Sequence, residues 1–204
     1  MLKALCVFLG LCAEIVVNAP SPEAHPTLAL PPRFIREYRD IIKQEVRLYW
    51  GLEPPSTFMA QAYQESKFDC EARSPVGALG CSQFMPATAK WIHALYPKDL
   101  GACQSPAGCP TNPQWAFRAQ VLYDKRIWRR YPDAEGDERR AFMLMGYNAG
   151  PGWVNRERRE ATARGLDSSR WFDSVETVCL RAASSCRESG GYVRNILLKW
   201  RHHF

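Results

Sequence analysis

The chain has 204 residues, 46% of them hydrophobic and 24% charged, with a net charge of +6. That length suits one domain with a sizeable core, and that balance excludes a disordered or fibrous chain. The positive charge either favours an anionic partner (a nucleic acid, a membrane surface, an acidic cell-wall polymer) or only keeps the protein soluble.

Met1-Leu2-Lys3 supplies one positive charge, and Ala4 to Ala13 is an uncharged apolar run. Glu14 interrupts it before Ile15-Val16-Val17-Asn18-Ala19. This pattern reads as a secretory signal over residues 1–19, although Pro20 disfavours cleavage directly after Ala19. The run is too short for a comfortable transmembrane helix, so an uncleaved N-terminal anchor is the alternative. Lipid attachment at Cys12 is disfavoured by bulky Leu11. Residues 20–32 form a Pro-rich linker, and one domain is expected over 33–204.

Of the eight cysteines, Cys6 and Cys12 fall in the leader. Cys70, Cys81, Cys103, Cys109, Cys179 and Cys186 remain. An even set behind an export signal reads as disulfides made in an oxidising compartment, periplasmic or in the cell envelope. Sequence does not select among the pairings. Sequential pairing, Cys70 with Cys81, Cys103 with Cys109 and Cys179 with Cys186, is the preferred expectation. The spacings do not match the short ligand pairs of a zinc site.

From Pro32 the pattern turns helical, with Phe34, Tyr38, Ile41, Ile42, Glu45 and Tyr49 at three- and four-residue steps. A second helix is expected from an N-cap at Ser56 to about Phe68, and a third from Pro86 to Tyr96. Asn112-Pro113 reads as a cap and first-turn proline opening a helix to about Tyr131. Further helices are expected over Asp137–Tyr147, Trp153–Arg164 with Gly165 as a stop, Ser169–Ala183 and Gly191–His203. No stretch alternates as a strand does, and there is no internal repeat. The fold class is mainly α, a single helical domain stapled by disulfides.

Four segments carry the chemistry: Tyr63-Gln64-Glu65-Ser66-Lys67-Phe68, Gly77-Ala78-Leu79-Gly80-Cys81-Ser82-Gln83-Phe84-Met85-Pro86, Gly146-Tyr147-Asn148-Ala149-Gly150-Pro151-Gly152, and Glu188 to Ile196 centred on Tyr192-Val193. In order and spacing they resemble the motifs of the soluble lytic transglycosylase domain, a family of goose-type-lysozyme-like enzymes that cut peptidoglycan glycan strands. The resemblance runs from about Ser56 to Ile196 and implies a lysozyme-like fold.

Glu65 shares a helix face with Ala62 and Phe58, near the helix C-terminus. Burial and the negative end of the helix dipole both disfavour its ionised form. A carboxyl still protonated near neutrality can protonate a glycosidic oxygen. On its own segment alone, Glu65 reads rather as a solvated helix charge, as most glutamates are, and the other three segments reverse that reading. The resemblance implies that it acts as acid and then as base, cleaving the MurNAc-GlcNAc β-1,4 bond. The substrate's N-acetyl group then assists, and the muramic C6 hydroxyl closes a 1,6-anhydro ring.

The resemblance also implies substrate contacts by Gln83, Tyr147 and Asn148, a hydrogen bond from Tyr192 to Glu65, and a binding role for Ser66. Cys81 and Ser82 depart from the family's pattern, where leucine and then methionine or glycine are common. Each segment has a plainer reading: a glycine-rich turn for 77–86, a helix terminator for 148–152, and core packing for Tyr192. Trp50, Trp91, Trp115, Trp128, Trp153 and Trp171 are read as core, with a groove role for some of them open.

Two other readings compete. A hydrolytic goose-type lysozyme or chitinase would need a second carboxylate such as Asp69 to orient water. An inactive peptidoglycan-binding scaffold protein would have lost its chemistry. Many arginines suit anionic envelope polymers better than nucleic acid, since no recognition motif is present. No cofactor and no metal is implied. Expected partners are peptidoglycan strands and, for a small exported domain of this type, a secretion or conjugation machine or another envelope complex.

Overall fold

Prolines start most of the helices. In the computed structural model, which describes Leu30 and residues 34–51, 53–102 and 109–204, Pro55 opens α2 (Pro55–Ser66), Pro86 α3 (Pro86–Leu95) and Pro97 the short α4 (Pro97–Leu100). Pro113 opens α5 (Pro113–Trp128) and Pro151 opens α7 (Pro151–Ala163). Proline fits there because its fixed φ is helical and its missing N–H would have no partner in the first turn. The remaining helices are α1 (Arg39–Tyr49, entered through a π-helical turn Phe34–Tyr38), α6 (Gly136–Ala149) and α8 (Ala183–Arg194). A π turn and a 3-10 turn carry α8 on to His203. Among the described residues, β structure is limited to isolated bridges at Arg73–Leu79 and Leu79–Phe84. The expected leader and, apart from Leu30, the expected linker lie outside the described residues.

Several boundaries move for local reasons. Ser56 is not the cap of α2: Pro54 precedes the helix, Pro55 is its first residue, and no side chain caps it. Asn112 caps α5 as expected, its Oδ1 accepting from Trp115 N at 3.0 Å. Gly165, at φ +75°, lets Leu166 N turn back to Ala161 O at 2.9 Å, so α7 stops there.

The largest correction concerns residues 169–194. The helix expected over Ser169–Ala183 is a series of turns with one 3-10 turn at Val175–Thr177. Glu138 of α6 takes the backbone N–H of Trp171 and Phe172, and Ser174 donates to Asp167 O, so side chains satisfy the groups a helix would use. The helix itself begins at Ala183 and runs through Gly190-Gly191 rather than starting there.

Helix α6 is the centre of the fold. Ala141 through Gly146 are all buried, as expected of a helix surrounded by others. It packs on α5, α7 and α8. Its contact with α5 is close enough that a Cβ on Gly146 would meet Ile127 Cγ2 at 2.6 Å. A second apolar cluster lies under α1, α2, α3 and α5, with Trp50, Tyr123 and Tyr147 touching both. Phe204 packs edge-on to Phe34 and Phe68, which stack at 4.2 Å, so the chain's end seals the far end of α2.

Disulfides Cys70–Cys81 and Cys179–Cys186 match the sequential pairing. The third expected pair involves Cys103, outside the described residues. Among those residues no helix is long and apolar enough to cross a membrane.

Candidate active site

Helix α2 stops one residue after Glu65 because Lys67 and Phe68 both adopt left-handed conformations, at φ 57° and 65°. Such a pair of non-glycine residues is strained by roughly 1 kcal/mol or more each. The Lys67 N–H bond to Tyr63 O, the stacking of Phe68 on Phe34 and the Cys70–Cys81 disulfide hold it in place. The chain then folds into a tight loop, 69–85. There Leu79 and Phe84 exchange backbone bonds at 3.0 Å, and Gly80, at φ +76°, abuts the Pro110 carbonyl.

Between this loop, α3, α5, α6 and α8 lies a cleft of about 350 Å³. Its lining includes Glu65, Gln83, Tyr123, Tyr147, Asn148 and Glu188. A larger depression of about 470 Å³ beside α1 gathers Asp40, Lys43, Arg47 and Glu53. There Glu53 is paired with Arg140 at 2.9 Å. The smaller cleft is where the electrostatics are unusual.

Burial pushes the Glu65 carboxyl up to about 8, and nearby Glu188 adds to the rise. Tyr192 opposes it by donating its hydroxyl to Glu65 Oε1 at 2.5 Å. Burial also holds the Tyr192 phenol well above its ordinary range, so it stays a donor. At neutral pH Glu65 is therefore mostly protonated, a carboxylic acid at the wall of a cleft.

The other expected residues are distributed as follows. Tyr147 donates to Ser82 O at 2.7 Å and packs between Phe84 and Tyr123, 5.6 and 5.4 Å away. Gln83, in a left-handed conformation, uses its Nε2 on Gly80 O (2.9 Å) and Ala72 O (3.3 Å). No described residue donates to its side-chain carbonyl, and Gln83 lines the cleft. Asn148 accepts from Ser189 at Oδ1, 2.8 Å away. Ser66 turns away and donates to Cys81 O at 2.8 Å, tying α2 to the loop. Asp69 is exposed and caps its own turn by accepting from Glu71 N at 2.9 Å; it does not line the cleft.

Three features were not anticipated as site elements. Glu188 faces the cleft as its second carboxylate. Behind the wall runs a buried polar chain: Ser82 donates to Gln120 (2.8 Å), Gln120 to Gln61 (3.0 Å), and Gln61 to Asp124 (3.5 Å). Asp124 is fully buried, which drives its carboxyl well above the usual carboxylate range. Arg181 reaches Ser189 at 3.0 Å from a loop closed by Cys179–Cys186. Among the described residues no cluster of three or more potential ligands could hold a metal ion.

The profile of the transglycosylase SLT domain matches residues 49–168. The soluble lytic murein transglycosylase of Escherichia coli K12 is 31% identical over 169 residues, 82% of this chain but 23% of that protein. Membrane-bound lytic murein transglycosylase F of Shewanella woodyi is 33% identical over 139 residues, 68% of this chain and 26% of its own length. Among solved structures, the 70 kDa soluble lytic transglycosylase of Escherichia coli superposes with a TM-score of 0.58 at 27% identity, over 81% of this chain and 24% of that one. The chain thus spans about a quarter of the length of these relatives. With a mainly helical single domain shared with that structure, this chain belongs to the transglycosylase SLT domain family.

Proposed function

We propose that this domain cleaves peptidoglycan glycan strands as a lytic transglycosylase, with Glu65 as the single acid–base residue. The observation that carries the reading is a carboxyl that titrates near 8 at the wall of a cleft, held by a tyrosine that stays protonated. Such a group is loaded to give a proton at neutral pH. In this mechanism Glu65 protonates the glycosidic oxygen as the C1–O bond breaks. The carbonyl oxygen of the substrate's N-acetyl group bonds to C1 and carries the positive charge. Glu65, now a carboxylate, takes the proton of the muramic C6 hydroxyl, whose oxygen displaces the acetamido oxygen from C1. The acetamido group is restored, no water is consumed, and a 1,6-anhydro end results.

Gln83, Tyr147 and Asn148 would contact the glycan, Gln83 through its free side-chain carbonyl and Tyr147 through its ring. Ser66 would act indirectly, through the loop. Export to the periplasm or cell envelope fits the leader, the disulfides and the anionic wall polymer that a positively charged protein would meet. Beyond the glycan strands, the partner we infer is a secretion, conjugation or other envelope complex.

A second reading has one observation in its favour. Glu188 lines the same cleft and could orient water for hydrolysis, a role Asp69 is not placed to take. Mass spectrometry of muropeptides released from purified sacculi separates the two. Products one water lighter than reducing-end fragments, absent with Glu65→Gln, support transglycosylation. Reducing-end products that vanish with Glu188→Gln support hydrolysis. Full activity of Glu65→Gln would remove Glu65 from either mechanism.

A further inference from the structure

The cleft amide of Asn148 is not free to choose which end it shows to a ligand. Glu157 of α7 is buried and accepts from Arg181 Nε at 3.2 Å and from Leu180 N at 3.4 Å. The Arg181 side chain is only 10% exposed, lying near the Trp153 ring, and its NH1 donates to Ser189 Oγ at 3.0 Å. A guanidinium has donors only, so Ser189 must accept from it. The Ser189 hydroxyl hydrogen goes to Asn148 Oδ1 at 2.8 Å. With its oxygen occupied from behind, Asn148 presents its Nδ2, which no described residue takes, at a position lining the cleft.

We propose that Arg181 is a positioning residue for ligand choice: through Ser189 it fixes Asn148 as a donor, so that the cleft selects an acceptor such as the carbonyl oxygen of an N-acetyl group. The proposal rests on the glycan-cleaving reading above and adds to it a determinant outside the four motifs. Polarity runs one way along the relay, from the Glu157 carboxylate through Arg181 and Ser189 to the cleft. The loop that brings Arg181 into place is closed by Cys179–Cys186, and Cys186 N bonds Ala182 O at 3.1 Å at the start of α8. That closure limits the positions Arg181 can take, which is what a relay needs to hold one orientation.

The test measures discrimination rather than affinity alone. In the oxidised full chain carrying Glu65→Gln, titration calorimetry compares an N-acetylglucosamine tetramer with its de-N-acetylated counterpart. Ser189→Ala cuts the relay while leaving the Glu157–Arg181 pair intact, and should lower the preference for the acetylated tetramer about tenfold. Ser189→Thr, which keeps the hydroxyl, should retain it. Glu157→Met with Arg181→Met removes both charges together, avoiding a buried unpaired carboxylate, and should match Ser189→Ala. An unchanged preference in that double variant would overturn the proposal, as would equal weakening of both ligands, which marks a merely structural role. If the Glu65→Gln chain binds neither tetramer, the glycan reading itself falls, and this proposal with it.

Discussion

Tyr192 donates its phenolic hydrogen to Glu65 across 127 positions of sequence, at 2.5 Å. The bond favours the carboxylate, while burial and the charge of Glu188 favour the acid. If Glu65 must be protonated to act, kcat/KM falls as pH rises through about 8. Tyr192→Phe removes the opposing bond and should move that alkaline limb to higher pH, with a lower plateau because the carboxyl loses its orientation. Glu188→Gln removes a negative neighbour and should move the limb to lower pH. Rate profiles of the three proteins over neutral to alkaline pH check this. Two unmoved limbs would mean that neither residue sets the titration of the essential acid.

Asp124 invites a stability measurement. Its carboxyl is buried, takes one long hydrogen bond from Gln61, leaves Oδ2 without a partner among the described residues, and feels the charge of Glu65. Because its folded titration lies well above that of an unfolded chain, the folded state holds a proton that the unfolded state releases. Stability therefore falls as pH rises above the unfolded carboxylate range. Asp124→Asn keeps the shape and the Gln61 contact but cannot ionise. It should melt at a higher temperature than wild type at alkaline pH, with the gap closing toward pH values where the acid is protonated in both states. Some pH dependence should survive, because Glu65 carries a raised titration of its own. A variant no more stable than wild type at any pH would show that the folded protein does not hold the Asp124 carboxyl above the unfolded carboxylate range.

These two carboxylates also mark what a reader of the sequence could and could not see. Glu65, Gln83, Tyr147 and Asn148 reach one cleft, and Tyr192 meets Glu65; each sits in a short segment that is weak alone but legible with the others in order and spacing. Asp124, Gln61 and Gln120 carry no such pattern. On helices they read as ordinary polar positions, and only the packing of α2 against α5 turns them into a buried chain. Helix starts were legible at Pro86 and Pro113, whereas α7 begins at Pro151 rather than Trp153 and the short α4 at Pro97 was not expected. The turns at 169–182 were not, since Glu138 and Ser174 take the backbone groups by contacts that periodicity does not encode.

Gly80 is a sharper test of the loop. Its φ of +76° disfavours any side chain, and a Cβ there would sit 1.7 Å from Pro110 O, a backbone atom with little freedom to move. Gly80→Ala should therefore cost about 3 kcal/mol or more, at the upper end of single substitutions. Gly77→Ala offers the comparison: it shares the positive φ, at +91°, but nothing lies within 4 Å of its Cβ. It should cost about 1 kcal/mol, from backbone strain alone. Denaturant unfolding of both variants, with equal losses, would show that the Pro110 contact yields easily.

The Cys70–Cys81 bridge joins the end of the strained turn after Glu65 to the loop that carries Gln83. Both cysteines are buried, at 4% and 0% exposure. Closing so short a loop stabilises the fold by about 3 kcal/mol through the unfolded chain. Replacing both cysteines by alanine should lower the melting midpoint by about 10 °C in a domain of this size. Ser66 still donates to the carbonyl of residue 81, and Tyr147 to that of residue 82, so two bonds continue to hold the loop. Well below its midpoint the variant should therefore keep most of its glycan-cleaving rate. Adding Ser66→Ala removes one of those bonds, about 1 kcal/mol more. The combined variant should then lose substrate affinity before it loses the pH profile set by Glu65, because Glu65 is held from the opposite side by Tyr192. A pH profile that shifts together with affinity would mean that the loop, and not α8, fixes the acid.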